Sequence, residues 1–124
     1  MPKTQVLIFA NEKGEAPLLK WLDKQPAKVQ DKCLARIERL AGIGHELRRP
    51  EADYLRDGIH KLRIRFQKVN YRILYFFREG NAILSHGIKK EGKVPDREIE
   101  LAIQNSVKVE MDPSKSLIRE EEDD

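Results

Sequence analysis

The chain has 124 residues, 36% of them charged, a length that suits one domain with a single core. A lone cysteine, Cys33, excludes an internal disulfide, and no apolar run is long enough to span a membrane or to serve as a signal peptide, so a reducing, cytoplasmic setting without membrane contact is expected. The net charge of +3 is unevenly spread: residues 108–124 hold three cations against seven anions, net −4, which leaves +7 on residues 1–107 and favours an anionic partner such as nucleic acid.

Gln5 to Ala10 is an apolar run long enough for one strand, and Asn11-Glu12-Lys13-Gly14 follows as a turn. Between Glu15 and Lys24 the helical spacing of Leu18, Leu19 and Leu22 predicts a first helix. Pro26 opens a second, running to about Ala41, with Val29, Cys33, Ile37 and Leu40 as its apolar stripe and Lys28, Asp31, Lys32, Arg36 and Arg39 on the other face. Cys33 is therefore expected to be a buried, inert thiol. Gly42 and Gly44 end that helix, and His45 to Asp57 reads as a connection broken by Pro50.

Three strands are expected next. In the first, Leu62, Ile64 and Phe66 alternate with Lys61, Arg63 and Arg65, so the three cations share a face. In the second, Tyr71, Ile73, Tyr75 and Phe77 alternate with Arg72, Leu74 and Phe76; a strand apolar on both faces is central and covered by helices, and its aromatics belong to the core. Ala82 to Ile88 is the third. Pro95 starts a short helix carrying Ile99, Ala102 and Ile103, and beyond Val107 the pattern dissolves. The expected organisation is an α+β domain over residues 1–107, in the order β-α-α-β-β-β-α. Its antiparallel sheet is packed by two N-terminal helices and a short C-terminal one, and residues 108–124 form a disordered acidic tail able to shield a basic face.

Strand-borne cations suit RNA chemistry. Metal-free cleavage of RNA needs a group to take the 2′-OH proton, charge to stabilise a phosphorane-like transition state, and a group to protonate the leaving 5′-oxygen. Cations fixed on rigid strands meet the second need without reorganising. Arg63 is a candidate phosphate ligand, with Lys61 and Arg65 beside it. His86 and His60 have the intrinsic pKa for proton transfer, and Lys61 or Lys90 gains that capacity if neighbouring cations depress its pKa. The three histidines are spread out with no acidic pair at ligand spacing, so no metal site and no cofactor is expected.

Four segments carry a resemblance: Gly58-Ile59-His60-Lys61-Leu62-Arg63, Tyr71-Arg72-Ile73-Leu74-Tyr75-Phe76-Phe77, His86-Gly87-Ile88-Lys89-Lys90, and Pro95 to Ala102. In this order and spacing the chain, from about residue 4 to 107, resembles the RelE/ParE toxin superfamily of toxin–antitoxin modules, and more narrowly its phage-derived HigB-like branch. The resemblance implies a RelE-like fold and a toxin that cleaves mRNA on the ribosome and so inhibits translation. It also implies neutralisation by a cognate helix-turn-helix antitoxin, with operator DNA bound only through that antitoxin. The antitoxin is expected to cover part of the basic sheet or the long second helix. Arg63, Arg72, His86 and Lys61 become the implied catalytic residues, and His60, Arg65, Lys89, Lys90 and Lys93 the implied RNA contacts. Two departures stand out: the glutamate of the branch's E-L-R pattern is Lys61 and the aromatic before it is His60, and no tyrosine follows Lys90. A gyrase-binding toxin of the ParE kind and a catalytically decayed regulatory partner are the competing readings.

Overall fold

The computed structural model describes residues 4–118. Ten elements follow in chain order. They are β1 (Val6–Phe9), α1 (Pro17–Asp23), α2 (Ala27–Ile43), β2 (Ala52–Arg56), β3 (Ile59–Phe66), β4 (Val69–Arg78), β5 (Asn81–Lys89), α3 (Asp96–Met111), α4 (Pro113–Ser116) and β6 (Leu117–Ile118), with a 3-10 turn at Gly44–Glu46 after α2. The strands form one sheet in the order β2-β3-β4-β5-β1-β6.

The sheet has helices on both faces. On the front, α1 and α2 bury Leu18, Leu22, Val29, Cys33 and Leu40 against Leu62, Ile64, Ile73 and Tyr75. On the back, α3 buries Ile99, Ala102 and Val109 against Ile59, Leu74, Phe76, Ile83, Leu7 and Phe9. Tyr71 to Phe76 of β4 are all buried, as expected of a central strand. Cys33 is buried, and burial pushes its thiol up to about 11.

Tight turns fix the register of the antiparallel part. Asp57-Gly58, Gln67-Lys68 and Glu79-Gly80 each hold two consecutive residues at positive φ, the conformation of a two-residue hairpin loop whose twist matches the flanking strands. Glycine takes this without cost in two of the three. Gln67-Lys68 adopts it with side chains, so the β3–β4 hairpin is held by its seven-residue ladder rather than by its loop.

The architecture departs from the expected order in four places. The connection before β3 contains β2, whose alternating Ala52-Asp53-Tyr54-Leu55 is too short and too polar to stand out; it is a strand because β3 pairs with it. The sheet is mixed rather than antiparallel, since β1 pairs in parallel with β5 (Val6↔Ala82 to Ile8↔Leu84). The C-terminal helix is long, not short, and runs past residue 107 because Val109 continues its apolar stripe. Residues 113–118, read as part of a disordered tail, form α4 and β6: the Ala10 amide donates to the Ser116 carbonyl (2.8 Å), and Leu117 and Ile118 pair with Phe9 and Ile8. The acidic end, 119–124, lies outside the described residues, and with it any shielding of the basic face by that segment. No helix among the described residues is long and apolar enough to cross a membrane.

Gly87 lies on the front face of β5 under Trp21, and a Cβ added there would clash with the indole ring. Gly87→Ala is expected to destabilise the fold by about 1–3 kcal/mol through overpacking, read as a lower urea midpoint at unchanged slope.

Candidate functional site

Helix α3 covers only part of the back face. Beyond its reach β3 turns Lys61, Arg63 and Arg65 to the back, and β4 adds Arg72. Cross-strand register sets Arg63 directly opposite Arg72, Lys61 opposite Leu74, and Arg65 opposite Asn70. Like charges directly opposite each other destabilise a sheet, and neither Arg63 nor Arg72 has an ion-pair partner among the described residues. Among the described residues the ion pairs occupy other arginines: Arg36 and Arg39 with Glu51, Arg49 with Asp53, Arg56 with Asp96 and Glu100, Arg78 with Glu110.

Arg72 is the unusual member. Its side chain emerges from an otherwise apolar central strand and is only 6% exposed. Nη1 donates to the Lys90 carbonyl at 2.5 Å, and the buried Nε has no partner among the described residues. Burial, then the Arg63 charge, lowers its pKa. A buried guanidinium without a carboxylate is costly, and the cost falls if an anion approaches. Arg63 and Arg65 are exposed above it. The Arg72–Lys90 bond also ties the segment carrying exposed Lys90 and Lys93 to the sheet.

Lys61 is half-buried between these cations and β2. Burial first, then Arg72 and Arg63, push its ammonium below its ordinary value; Asp53, its register partner on β2, pulls the other way. Asp53 is already engaged, because Arg49 Nε donates to its Oδ1 at 3.0 Å. Neither Arg49 nor Asp53 stood out in the sequence, since the strand that aligns Asp53 with Lys61 was itself not legible.

The histidines do not join the cluster. His60 precedes Lys61 by one residue, so it projects from the front face, where its ring stacks on Tyr75 and meets Tyr54 and Phe77 edge-on. Strand alternation therefore sets His60 on the face opposite Lys61, Arg63 and Arg65. His86 is on the back face but is 5% exposed, with both ring nitrogens engaged. Asn105 Nδ2 donates to Ser85 Oγ (2.9 Å), Ser85 Oγ lies 2.8 Å from His86 Nδ1, and His86 Nε2 lies 3.1 Å from Glu98 Oε1. A neutral ring with its proton on Nε2 satisfies the whole chain: the serine hydroxyl donates to Nδ1, and Nε2–H donates to the carboxylate. The network exists because Ser85 is an extra residue opposite the Leu74–Tyr75 step, which turns consecutive residues of β5 to one face. With both ring nitrogens engaged, His86 ties β5 to α3. Asn105, a buried polar residue on an apolar helical stripe, was the sequence signal for this network.

Of the remaining expected contacts, Lys89 points to the front, its Nζ 5.9 Å from the Tyr71 ring centroid, while Lys90 and Lys93 are exposed at the end of β5. The structure thus brings together Lys61, Arg63, Arg65 and Arg72, and sets His60, His86 and Lys89 apart from them. Among the described residues no three His, Cys, Asp or Glu side chains converge as metal ligands.

Residues 20–106, more than two-thirds of the chain, match the family described as Phage derived protein Gp49-like (DUF891). No curated protein matches the sequence.

Two titrations follow from this geometry. The Lys61 ammonium is expected to titrate below free lysine in a carbon-detected NMR experiment; Asp53→Asn should lower it further, and Arg49→Ala, which frees Asp53 to face Lys61, should raise it. The His86 imidazole is held below its ordinary value of 6.5 by burial, with Glu98 opposing. Because the folded value lies below the unfolded one, the unfolded chain takes up the proton first. Stability present above about pH 6.5 is then lost as pH falls through the folded value. His60, depressed by burial and by His45, acts in the same direction. Urea midpoints are expected to drop between pH 7.5 and 5.5, and to drop less in His86→Gln and His60→Gln.

Proposed function

The chain belongs to the phage-derived Gp49-like family, a branch of the RelE/ParE-like toxin superfamily, and from that premise we propose that it is the HigB-like toxin of a type II toxin–antitoxin module. In this reading it is an endoribonuclease that cuts mRNA on the ribosome without a metal, and its partner is a helix-turn-helix antitoxin that carries the pair to operator DNA. The observation that supports it best is the buried Arg72, without a carboxylate partner among the described residues and directly opposite the exposed Arg63 on the neighbouring strand. That is a charge arrangement completed by a phosphate.

The chemistry divides among the clustered residues. Arg63 meets the non-bridging oxygens of the scissile phosphate in a bidentate fork. Arg72 adds positive potential from a low-dielectric position, where it acts more strongly than an exposed charge. Lys61 takes the 2′-OH proton: burial and the neighbouring Arg72 and Arg63 charges lower its pKa and so favour the neutral amine. The 2′-oxygen attacks phosphorus as Lys61 takes its proton. The bond to the 5′-oxygen then breaks, and that oxygen takes a proton from water as it leaves. The ends are a 2′,3′-cyclic phosphate and a 5′-hydroxyl. Arg65, Lys90 and Lys93 hold flanking phosphates of mRNA or ribosomal RNA.

Expression in growing cells with mapping of mRNA 5′ ends tests this. Codon-linked breaks are expected from the native chain and not from Arg63→Ala/Arg72→Ala. Lys61→Met should slow single-turnover cleavage on purified ribosomes about 10²–10⁴-fold, and His86→Gln should retain breaks wherever it folds. Growth arrest without breaks, accompanied by altered plasmid supercoiling, would replace this reading with gyrase inhibition.

A further inference from the structure

The basic face does not end at the sheet. Pairing between β2 and β3 stops at Ala52↔Leu62, with one further bond from the Arg63 amide to the Glu51 carbonyl (2.9 Å). β3 continues to Phe66 with no strand beside it on that edge. The missing length of β2 leaves a notch, and through it the back of the sheet opens towards α2 on the front. Two clefts, of about 250 and 260 Å³, meet there and share Arg36, Ile64 and Arg65. One contains Arg63 and Arg72; the other reaches Lys32 and Arg39.

The joined trough is strongly cationic. Its one carboxylate, Glu51, is clamped by Arg36 (2.9 Å) and Arg39 (2.8 Å), and that trio is net +1. Lys32, Arg63, Arg65 and Arg72 make no ion pair among the described residues. We propose that this trough seats a single RNA strand leaving the scissile phosphate, its backbone passing from Arg63 over Arg65 onto the Lys32–Arg36–Arg39 face of α2. The inference rests on reading the back face as an RNA-cleaving site, and it assigns α2 a role in holding that substrate.

Geometry selects a single strand over a duplex. The trough bends around the edge of one β-strand, a turn within a few ångströms of backbone. A base-paired helix is too stiff to follow it, whereas a single strand rotates freely about its backbone bonds. The cleft wall also offers the exposed Pro50 as apolar surface beside the cations, the mixture on which unpaired bases rest.

The test measures binding by the whole chain to a 12-nucleotide 2′-O-methyl RNA, which cannot be cleaved, and to a 12-base-pair RNA duplex, each over a range of salt. Lys32→Gln/Arg65→Gln removes two exposed cations from the trough. Its single-strand affinity is expected to fall at least tenfold at 50 mM salt, and the slope of log K against log salt to shrink by about 1.4, two counterion-release increments of 0.7. Lys13→Gln/Lys115→Gln, which alters exposed lysines elsewhere, is expected to leave the slope unchanged. An unchanged slope in the trough variant overturns the proposal, as does a loss confined to the duplex. Binding is read without cleavage, so the two readings fail separately. Single-strand binding in a chain that makes no mRNA breaks would remove the nuclease and leave the trough; breaks with an unaltered salt slope would do the reverse.

Discussion

Everything at the candidate site depends on β4 being buried on both faces. Tyr71, Ile73 and Tyr75 face α1 and α2, while Leu74 and Phe76 face α3, so the strand cannot slide or tilt without exposing one half-core. Arg72 is part of that same strand and inherits its rigidity. A guanidinium placed there keeps its position whether or not an anion is present, which is what electrostatic preorganisation requires.

The distribution of carboxylates makes the same point from the other side. Arg56 bridges the β2–β3 turn to α3 through Asp96 and Glu100, Arg78 reaches Glu110, and Arg36 and Arg39 share Glu51. The fold therefore has anions available, and it spends them on fastening elements together. Around Arg63 and Arg72 the described residues supply a backbone carbonyl, from Lys90, and no carboxylate in an ion pair. Asp53, the nearest acid to Lys61, is drawn off by Arg49, and Glu98 is held by His86. Free positive charge is thus concentrated where the sheet is least covered.

His86 illustrates how a motif position and a chemical role can part. In sequence it is a histidine ahead of a lysine pair, suited to proton transfer. In the folded chain a bulge at Ser85 turns it into a buried network with Glu98 and Asn105, and the network fixes where the N-terminal end of α3 meets the sheet. The end of α3 in turn decides how much of the back face stays open. His60 shows a simpler case: its one-residue offset from Lys61 places it on the other face of the sheet.

Local periodicity determined a good deal. Alternation of two gave β3 and β4 and put Lys61, Arg63 and Arg65 on one face, and helical spacing gave α1, α2 and the start of α3, because these patterns are written within a few residues of each other. Tertiary structure decided what depends on distant partners. β2 and β6 are strands only because β3 and β1 lie beside them, and β1 lies parallel to β5 across some seventy intervening residues. Burial of Arg72, engagement of both His86 nitrogens and the notch left by a short β2 follow from packing between elements. The sequence by itself determined which residues carry charge and which face they take; only the assembled sheet decided which of those charges are left without a partner.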